Sequence, residues 1–596
     1  MPSKTSSSAK AVAPPKRKEK KIIDIYFEEH DKEIAKFHKI GRTKVAIIYQ
    51  VGTFFEFYGL EYPDGTKRGC MWQLADELGL KIAEKPGEKF DDNPDIKVYI
   101  AGIPLVSQDK YFQMAERINW TLVHFDQVKN GDKFDRVLGE VTSPGINIHS
   151  DSPSNITMSV VLESVLSYDR TQQRNTTTTQ NTKIFAGLAF LDSITGENGI
   201  VNLKPQSSGD ISILLDEILK TIIVKNPKHI NIYLQGNIAL DDETLINAFH
   251  LYRTSYFISR ELLDPKYERL SYQETVLDGF YTRERGILPI LQQLDLEDAT
   301  LIHGRISLVL LLEFIALHDK TIISMLSKPR ICADSSDYLV MGNNPLEQLD
   351  VVNNLKWEYA NSQALGYGRR ISLLELLDKT KTTMGRNAFR NRLSNPITSV
   401  ETLNLRYDQI EEIWSYHTSW MNDHPTDSLG SPIYEIRRVL SDIKNIQNIV
   451  RKIITGKFFM PELEVFYKSL VGGIKLLEVV NKITAENSET SKIIKLVPDI
   501  SNVVEIIRRL KSSVNFKAFE ILWGDIENNV FLHGINRELD NLQEKIDNDR
   551  HFIDNLIRAL SYIIELAINP GNPLLKERTD DGKIAIKFEK GQYITQ

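Results

Sequence analysis

The chain has 596 residues, 41% of them hydrophobic and 26% charged. That length and balance exclude a mainly disordered or fibrous protein and leave room for three or four globular domains. A formal net charge of −7 argues against a uniformly basic nucleic-acid coat, so any contact with DNA has to come from local patches.

The first 21 residues stand apart. Lys4, Lys10, Lys16, Arg17, Lys18, Lys20 and Lys21 face only Glu19, and the serines, alanines and Pro14-Pro15 offer nothing to bury. This is a flexible basic tail: a solubilising segment, a nonspecific phosphate contact or a nuclear address. It has no apolar run long enough for a secretory signal or a membrane span.

From Ile22 to about Ile148 the pattern is mixed α+β. Helical spacing joins Ile25-Tyr26-Phe27 to Ile34-Ala35-Lys36-Phe37, a strand follows at Val45, and helices are predicted near Trp72-Gln73-Leu74-Ala75 and Tyr111 to Ala115. Lys85 to Asp95, rich in Pro, Gly and charge, is a solvated loop. Lys67, Arg68, Lys85 and Lys89 are candidate phosphate contacts by location, although surface lysines are commonly just solvated.

Within this region Gln50 to Gly59 is the most informative stretch. On an extended segment Phe54 and Glu56, at i and i+2, leave one face together, while Phe55 points the other way, toward a core. An apolar wedge and a hydrogen-bonding carboxylate would then reach one target. Minor-groove proteins use such wedges to kink a base step, and a mispaired step is already weakly stacked. Taken alone, the same residues also describe a buried strand leading into a helix.

A second α/β unit is expected from about His149 to Gly279. Asn155 to Leu162 and Ile184 to Leu191 are β-rich, Leu214 to Leu219 helical, and Ile230 to Leu234 a strand. Asp169 to Thr182, almost wholly polar with Thr176-Thr177-Thr178-Thr179, cannot bury surface and is predicted to be a loose hairpin insert.

From about Phe280 helical rows dominate. Leu308 to Leu312 mark a buried helix, and Leu373 to Leu377 with Phe389 and Leu393 mark helices of a bundle. Leu539, Leu542, Ile546, Ile553, Leu556, Leu560 and Ile563 keep three-four spacing with Asp549 as the polar break, the pattern of a coiled-coil seam or a packed core helix. Lys583, Lys587 and Lys590 alternate with Ile584, Ile586 and Phe588 on a two-faced strand.

Cys70 and Cys332 are far apart and no ligand spacing accompanies them, so neither a disulfide framework nor a zinc site is indicated. No hydrolase triad or paired-acid site stands out. Single histidines such as His124 and His533 are assigned structural roles.

Gly52-Thr53-Phe54-Phe55-Glu56 resembles the Gly-x-Phe-(Tyr/Phe)-Glu motif of the MutS family of DNA mismatch repair proteins. The resemblance continues through Ala101-Gly102-Ile103-Pro104, Lys110-Tyr111, Leu122 to Gln127, Arg136-Val137 and Thr142-Ser143-Pro144-Gly145. A second block, Ser372 to Thr380 with Thr382, Met384-Gly385-Arg386, Arg392-Leu393 and Asn395-Pro396, is similar to the start of that family's lever. Gly534 to Asp540 is similar to the opening of its clamp. The Gln-Val-Gly lead and Gly59 resemble the branch of large DNA viruses and coral mitochondria, whose members also carry a C-terminal nuclease.

The resemblance implies a multidomain fold: a disordered tail at 1–21, an α+β mismatch-binding domain at 22–148, an α/β connector at 149–279, an all-α lever at 280–533 and a partial coiled-coil clamp at 534–596. It implies that Phe54 stacks on a mispaired base while Glu56 hydrogen-bonds it, with Gly52 and Thr53 of the same motif beside them on DNA; Lys67 and Arg68 join this DNA-binding set by their location alone. A carboxylate near phosphates costs affinity on matched duplex and regains it only where a base can rotate out, which makes Glu56 a specificity element. Two positions depart from the family pattern: Phe55 replaces the usual Tyr, and Val106 stands where many members have His.

MutS proteins also carry an ATPase whose phosphate loop requires Gly-x-x-x-x-Gly-Lys-(Ser/Thr). No such string occurs here; Gly456-Lys457-Phe458 and Gly366-Tyr367-Gly368 are the nearest and neither is a nucleotide site. The expectation is a front half, natural or truncated, without catalysis or cofactor of its own, with ATP and magnesium belonging to the missing ATPase. Its partner would be double-stranded DNA with mismatches or small loops. The full-length form would be a homodimer, intracellular, soluble and without a membrane. Two other readings remain open: one half of a split ATP-dependent repair enzyme, and a helical scaffold that has lost DNA recognition.

Overall fold

The computed structural model describes residues 21–91, 93–130, 133–148, 154–167, 181–207, 211–252, 254–282, 288–332, 339, 345–352, 371–424, 430–484, 499–519, 528–567, 575–578 and 584–587. Nearly all of the basic tail, most of the polar insert at 169–182, Gly366-Tyr367-Gly368 and the last nine residues lie outside these. The chain forms two compact units, one of residues 1–415 with 444–458, the other of 416–443 with 459–596.

The first unit begins with α1 (Ile22–Lys39), whose apolar face buries Ile23, Tyr26, Phe27 and Phe37. It packs on a mixed sheet of order β4-β5-β2-β1-β6-β7, made of β1 (Val45–Val51), β2 (Phe54–Glu61), β4 (Ala83–Glu84), β5 (Lys97–Pro104), β6 (Thr121–Asn130) and β7 (Lys133–Thr142). A short β3 (Lys67–Arg68) adds to β2. Val45 to Tyr49 are consecutively buried, so β1 is covered on both faces, as its unbroken apolar run and its parallel pairing with β6 require. Further cover comes from α2 (Met71–Leu78), ended by Gly79 in the left-handed region, and α3 (Gln108–Arg117).

A second sheet has the order β12-β11-β8-β9-β10-β13: β8 (Ile156–Ser167), β9 (Asn181–Asp192), β10 (Asn198–Ser207), β11 (His229–Gln235), β12 (Ser255–Ser259) and β13 (Arg330–Cys332). Along β8, Met158, Val160 and Leu162 enter one core with Leu214 and Ile218 of α4 (Ser212–Lys225), while Val161 enters another with Ile306 and Leu310. Period-two alternation thus gives a three-layer unit with helices on both faces.

Contacts run across the expected boundary at Gly279. The helix Ile302–His318, expected within the helical region, packs across β8, β9 and β10, and β13 pairs in parallel with β10. By length and composition Ala299–His318 could cross a membrane, but 72% of its apolar window is buried in the protein. It is apolar all round because a sheet lies on one side and helices on the other.

In the second unit, helices Pro432–Asp442 and Ser501–Ser513 pack against Glu462–Thr484. Arg537–Ala567 runs for 31 residues. Its start is tied down by Gln543 Oε1, which accepts from Asn529 N at 2.6 Å, and by Asp540, which accepts from Gly534 N at 2.9 Å. Leu542, Ile546 and Leu556 of the expected seam are exposed along it. Beyond it β14 (Leu575–Arg578) and β15 (Ile584–Lys587) form an antiparallel ribbon, β15 being the described part of the expected lysine-alternating strand.

Several single-residue expectations resolve. Cys70 and Cys332 are both free thiols. His124 is buried between the rings of Phe55 and Phe112, a structural position. His533 instead lies exposed in the turn before the long helix, because the chain there serves helix capping and has no core around it. Gly456 ends the helix Ile446–Thr455 at φ +73°, and Lys457 pairs with Glu140 and Asp319, so that segment is a helix stop and an ion pair.

Candidate nucleic-acid interface

The Gly52-Thr53 turn closes a two-residue hairpin between β1 and β2, with Val51 opposite Phe54. Gly52 sits at φ +60°, the sign that a II′ turn demands of its first central residue. The segment after the turn is therefore a strand and not a helix start. Gln127 of β6 fixes the hairpin through two bonds: Gly52 N donates to Gln127 Oε1 at 3.0 Å, and Gln127 N donates to Gln50 Oε1 of β1 at 2.9 Å. On the other side Leu105 N donates to Thr53 O at 3.0 Å.

Period-two geometry then sorts the side chains of β2. Phe55 and Phe57 point into the core, and Phe55 packs against Phe112 and His124. Phe54, Glu56 and Tyr58 share the opposite face, which passes from open to covered along the strand. Phe54 is 45% exposed, the Glu56 side chain 18%, and Tyr58 lies fully buried against the Tyr26 ring of α1. An exposed apolar ring and a half-buried carboxylate thus stand at the open end of one strand face.

Glu56 is not isolated there. Tyr58 Oη donates to its Oε2 at 2.6 Å, and Lys85 Nζ reaches the same oxygen at 3.5 Å. Lys85 also lies 5.0 Å from the centre of the Tyr58 ring. Burial first, and then the Glu56 carboxylate, push the Tyr58 phenol far above its ordinary value, so it remains a donor. Lys85 arrives because β4 pairs with β5 and Lys85 N continues that ladder to Val98 O at 2.8 Å. The first residue of the expected solvated loop is therefore anchored, and its ammonium is engaged by Glu56. Tyr58 went unnoticed in the sequence, although its i+2 spacing from Glu56 was the available signal.

Lys67 and Arg68 are not brought to the same place. They pair with Glu61 and Leu60 near the far end of β2, about 20 Å from Phe54 at ~3.3 Å per residue. Lys67 lies over the Trp72 ring at 4.2 Å. Arg68 donates to Asp31 at 2.5 Å and covers the rings of Phe27 and Phe90, so reaching a phosphate would cost it those contacts. Lys89 is exposed. Val106, in the turn after β5, is 96% exposed and sits just beyond Pro104, which pairs with Phe54. Among the described residues no cluster of three or more His, Cys, Asp or Glu is arranged to hold a metal.

Comparison with known proteins places the chain in context. Residues 345–564 match the family model for MutS domain III. A mutS homologue of Acanthamoeba polyphaga mimivirus, named for DNA mismatch repair, is 24% identical over 574 residues, covering 91% of this chain and 46% of its own length. DNA mismatch repair proteins MutS of Methanosarcina mazei and Caldanaerobacter subterraneus are each 22% identical, covering 85% and 86% of this chain and 50% of their own lengths. The chain spans about half the length of the curated relatives it matches.

Proposed function

We propose that this chain, which belongs to the MutS family, recognises mispaired or distorted double-stranded DNA, reading it from the minor groove with the Phe54 ring as a wedge and the Glu56 carboxylate as a hydrogen-bond acceptor. The observation that carries this reading is the shared, open face at the start of β2: a 45% exposed phenylalanine and, two residues on, a carboxylate, both held by a hairpin braced on two sides. An exposed aromatic ring on a rigid support costs little to insert. The step it opens most cheaply is one already poorly stacked, so deformability supplies selectivity.

In this reading the expected domains serve as reader (22–148), connector (149–279), lever (280–533) and clamp (534–596). Gly52 and Thr53 set the wedge, and Val106 supplies a second apolar contact beside it. Lys67 and Arg68 contribute only at the duplex flank. These 596 residues carry no Gly-x-x-x-x-Gly-Lys-(Ser/Thr) string, so this reading assigns them no ATP-driven step.

The test is binding of the purified chain at fixed physiological salt to matched duplex, to a G·T mispair and to a duplex with one unpaired base. Phe54→Ala is expected to lose about 10-fold or more on the defective duplexes, the scale of one lost base–aromatic stack. Matched-duplex binding should barely change. Equal binding of the wild-type chain to all three duplexes would overturn the reading.

A further inference from the structure

We propose that Tyr58 and Lys85 are positioning residues that determine mismatch specificity by anchoring Glu56 through Oε2 and leaving Oε1 as the open acceptor for the displaced base. The inference rests on the reading above and deepens it. Three contacts carry it: Tyr58 Oη to Glu56 Oε2 at 2.6 Å, Lys85 Nζ to the same oxygen at 3.5 Å, and Lys85 Nζ over the Tyr58 ring at 5.0 Å. They form a closed triangle in which both donors converge on one oxygen. No partner for Oε1 is present among the described residues.

The two donors act differently. Tyr58, buried to 0% exposure against Tyr26, fixes the orientation of the carboxylate. Lys85, with 28% of its side chain exposed, neutralises a charge that would otherwise face phosphates. An unanchored glutamate would trade rotamers and lose entropy on meeting a base; an anchored one has lost it on folding. An uncompensated glutamate would repel every duplex alike. The pair therefore converts Glu56 from a general repellent into a directed acceptor.

The experiment is a double-mutant cycle on mismatched-to-matched affinity ratios at fixed salt, with Tyr58→Phe, Lys85→Met and Lys85→Arg made in both the wild-type and the Glu56→Ala backgrounds. Phe keeps the buried ring, and Lys85 is a surface side chain, so both variants are expected to fold; circular dichroism melts verify it. Tyr58→Phe should reduce the ratio about tenfold, the worth of one hydrogen bond to a charged group, with less than about a twofold change on matched duplex. Lys85→Met should weaken binding to all duplexes and Lys85→Arg should restore it.

In the Glu56→Ala background Tyr58→Phe should be silent, an outcome that a merely structural role for Tyr58 would not produce. Wild-type preference that is lost in Phe54→Ala but kept in Tyr58→Phe, or binding to all duplexes that is unchanged in Lys85→Met, would overturn this inference and leave the wedge standing. Effects of equal size in both backgrounds would also overturn it. A wild-type chain without any preference would remove both proposals together.

Discussion

The guanidinium of Arg42 lies 3.0 Å from Nδ1 of His229, with both side chains inside the protein. Arg42 also donates to Pro144 O at 3.0 Å and to His318 Nε2 at 3.4 Å, and it lies over the Phe314 ring. This one side chain therefore ties the start of the first sheet to the second sheet and to the apolar helix that covers it. Both imidazoles must be neutral to accept from it: His229 turns its Nε2–H to Asn231 Oδ1 at 2.8 Å and His318 its Nδ1–H to Phe314 O at 2.9 Å.

Stability should consequently fall with acid. Burial first, and then the Arg42 charge, hold His229 and His318 well below the ordinary histidine value. Below about pH 6.5 the unfolded chain binds protons that the folded chain refuses, so stability is complete above that pH and lost beneath it. Each imidazole contributes up to about 1.4 kcal/mol per pH unit. Urea unfolding at pH 7.5, 6.5 and 5.5 checks it; a midpoint that does not move would show that the imidazoles are already solvated or charged.

Gly187 should tolerate no side chain. A Cβ there would stand 2.1 Å from the carbonyl carbon of His303 and 2.3 Å from the nitrogen of Gly304, both backbone atoms of the apolar helix. Backbone cannot swing aside, so Gly187→Ala should cost about 3 kcal/mol through overpacking. Gly473, with nothing within 4 Å of its Cβ position, is the internal control; its alanine variant should melt at or above the wild-type temperature.

Neighbours on β2 should behave oppositely. Phe55→Ala empties a buried site and should destabilise by about 3–5 kcal/mol, whereas Phe54→Ala, at an exposed ring, should stay within about 1 kcal/mol. Thermal melts of the two variants side by side decide this, and similar losses would mean that Phe54 is a core residue.

Gly52→Ala meets no atom, yet must hold φ at +60°. The cost should be about 1–2 kcal/mol, entirely conformational. Because the hairpin carries Phe54, preference for defective duplex should fall with it; Gly52→Asn, which enters the left-handed region more easily, should recover part of both. Full mismatch preference in Gly52→Ala would dissociate the turn from recognition.

Much of the local structure was legible beforehand. Helical spacing located α1, α2, α3 and α4, because a helix that buries one face must repeat apolar residues at its own period, and short β-rich apolar runs located β1, β8, β9 and β11. Coverage was harder to read. The helix Ile302–His318 is apolar on every side, so no period marks which neighbour it packs on, and only the structure assigns it to the second sheet. Lys67, Arg68 and Lys85 looked equivalent as basic residues in one stretch. Their fates diverge because β3 extends β2 at one end while β4 adds to β5 and delivers Lys85 to the other side chains of the face.

What the sequence by itself determined is the pairing of Phe54 with Glu56 on one face and the separation of Phe55 onto the other. The pleat repeats every two residues whatever the strand pairs with. Only the tertiary structure decided what meets that face. Lys85 lies 29 residues from Glu56, and Arg42 lies 187 and 276 residues from its two histidines. Such meetings depend on strand order and register, which the whole core selects together and no local pattern encodes.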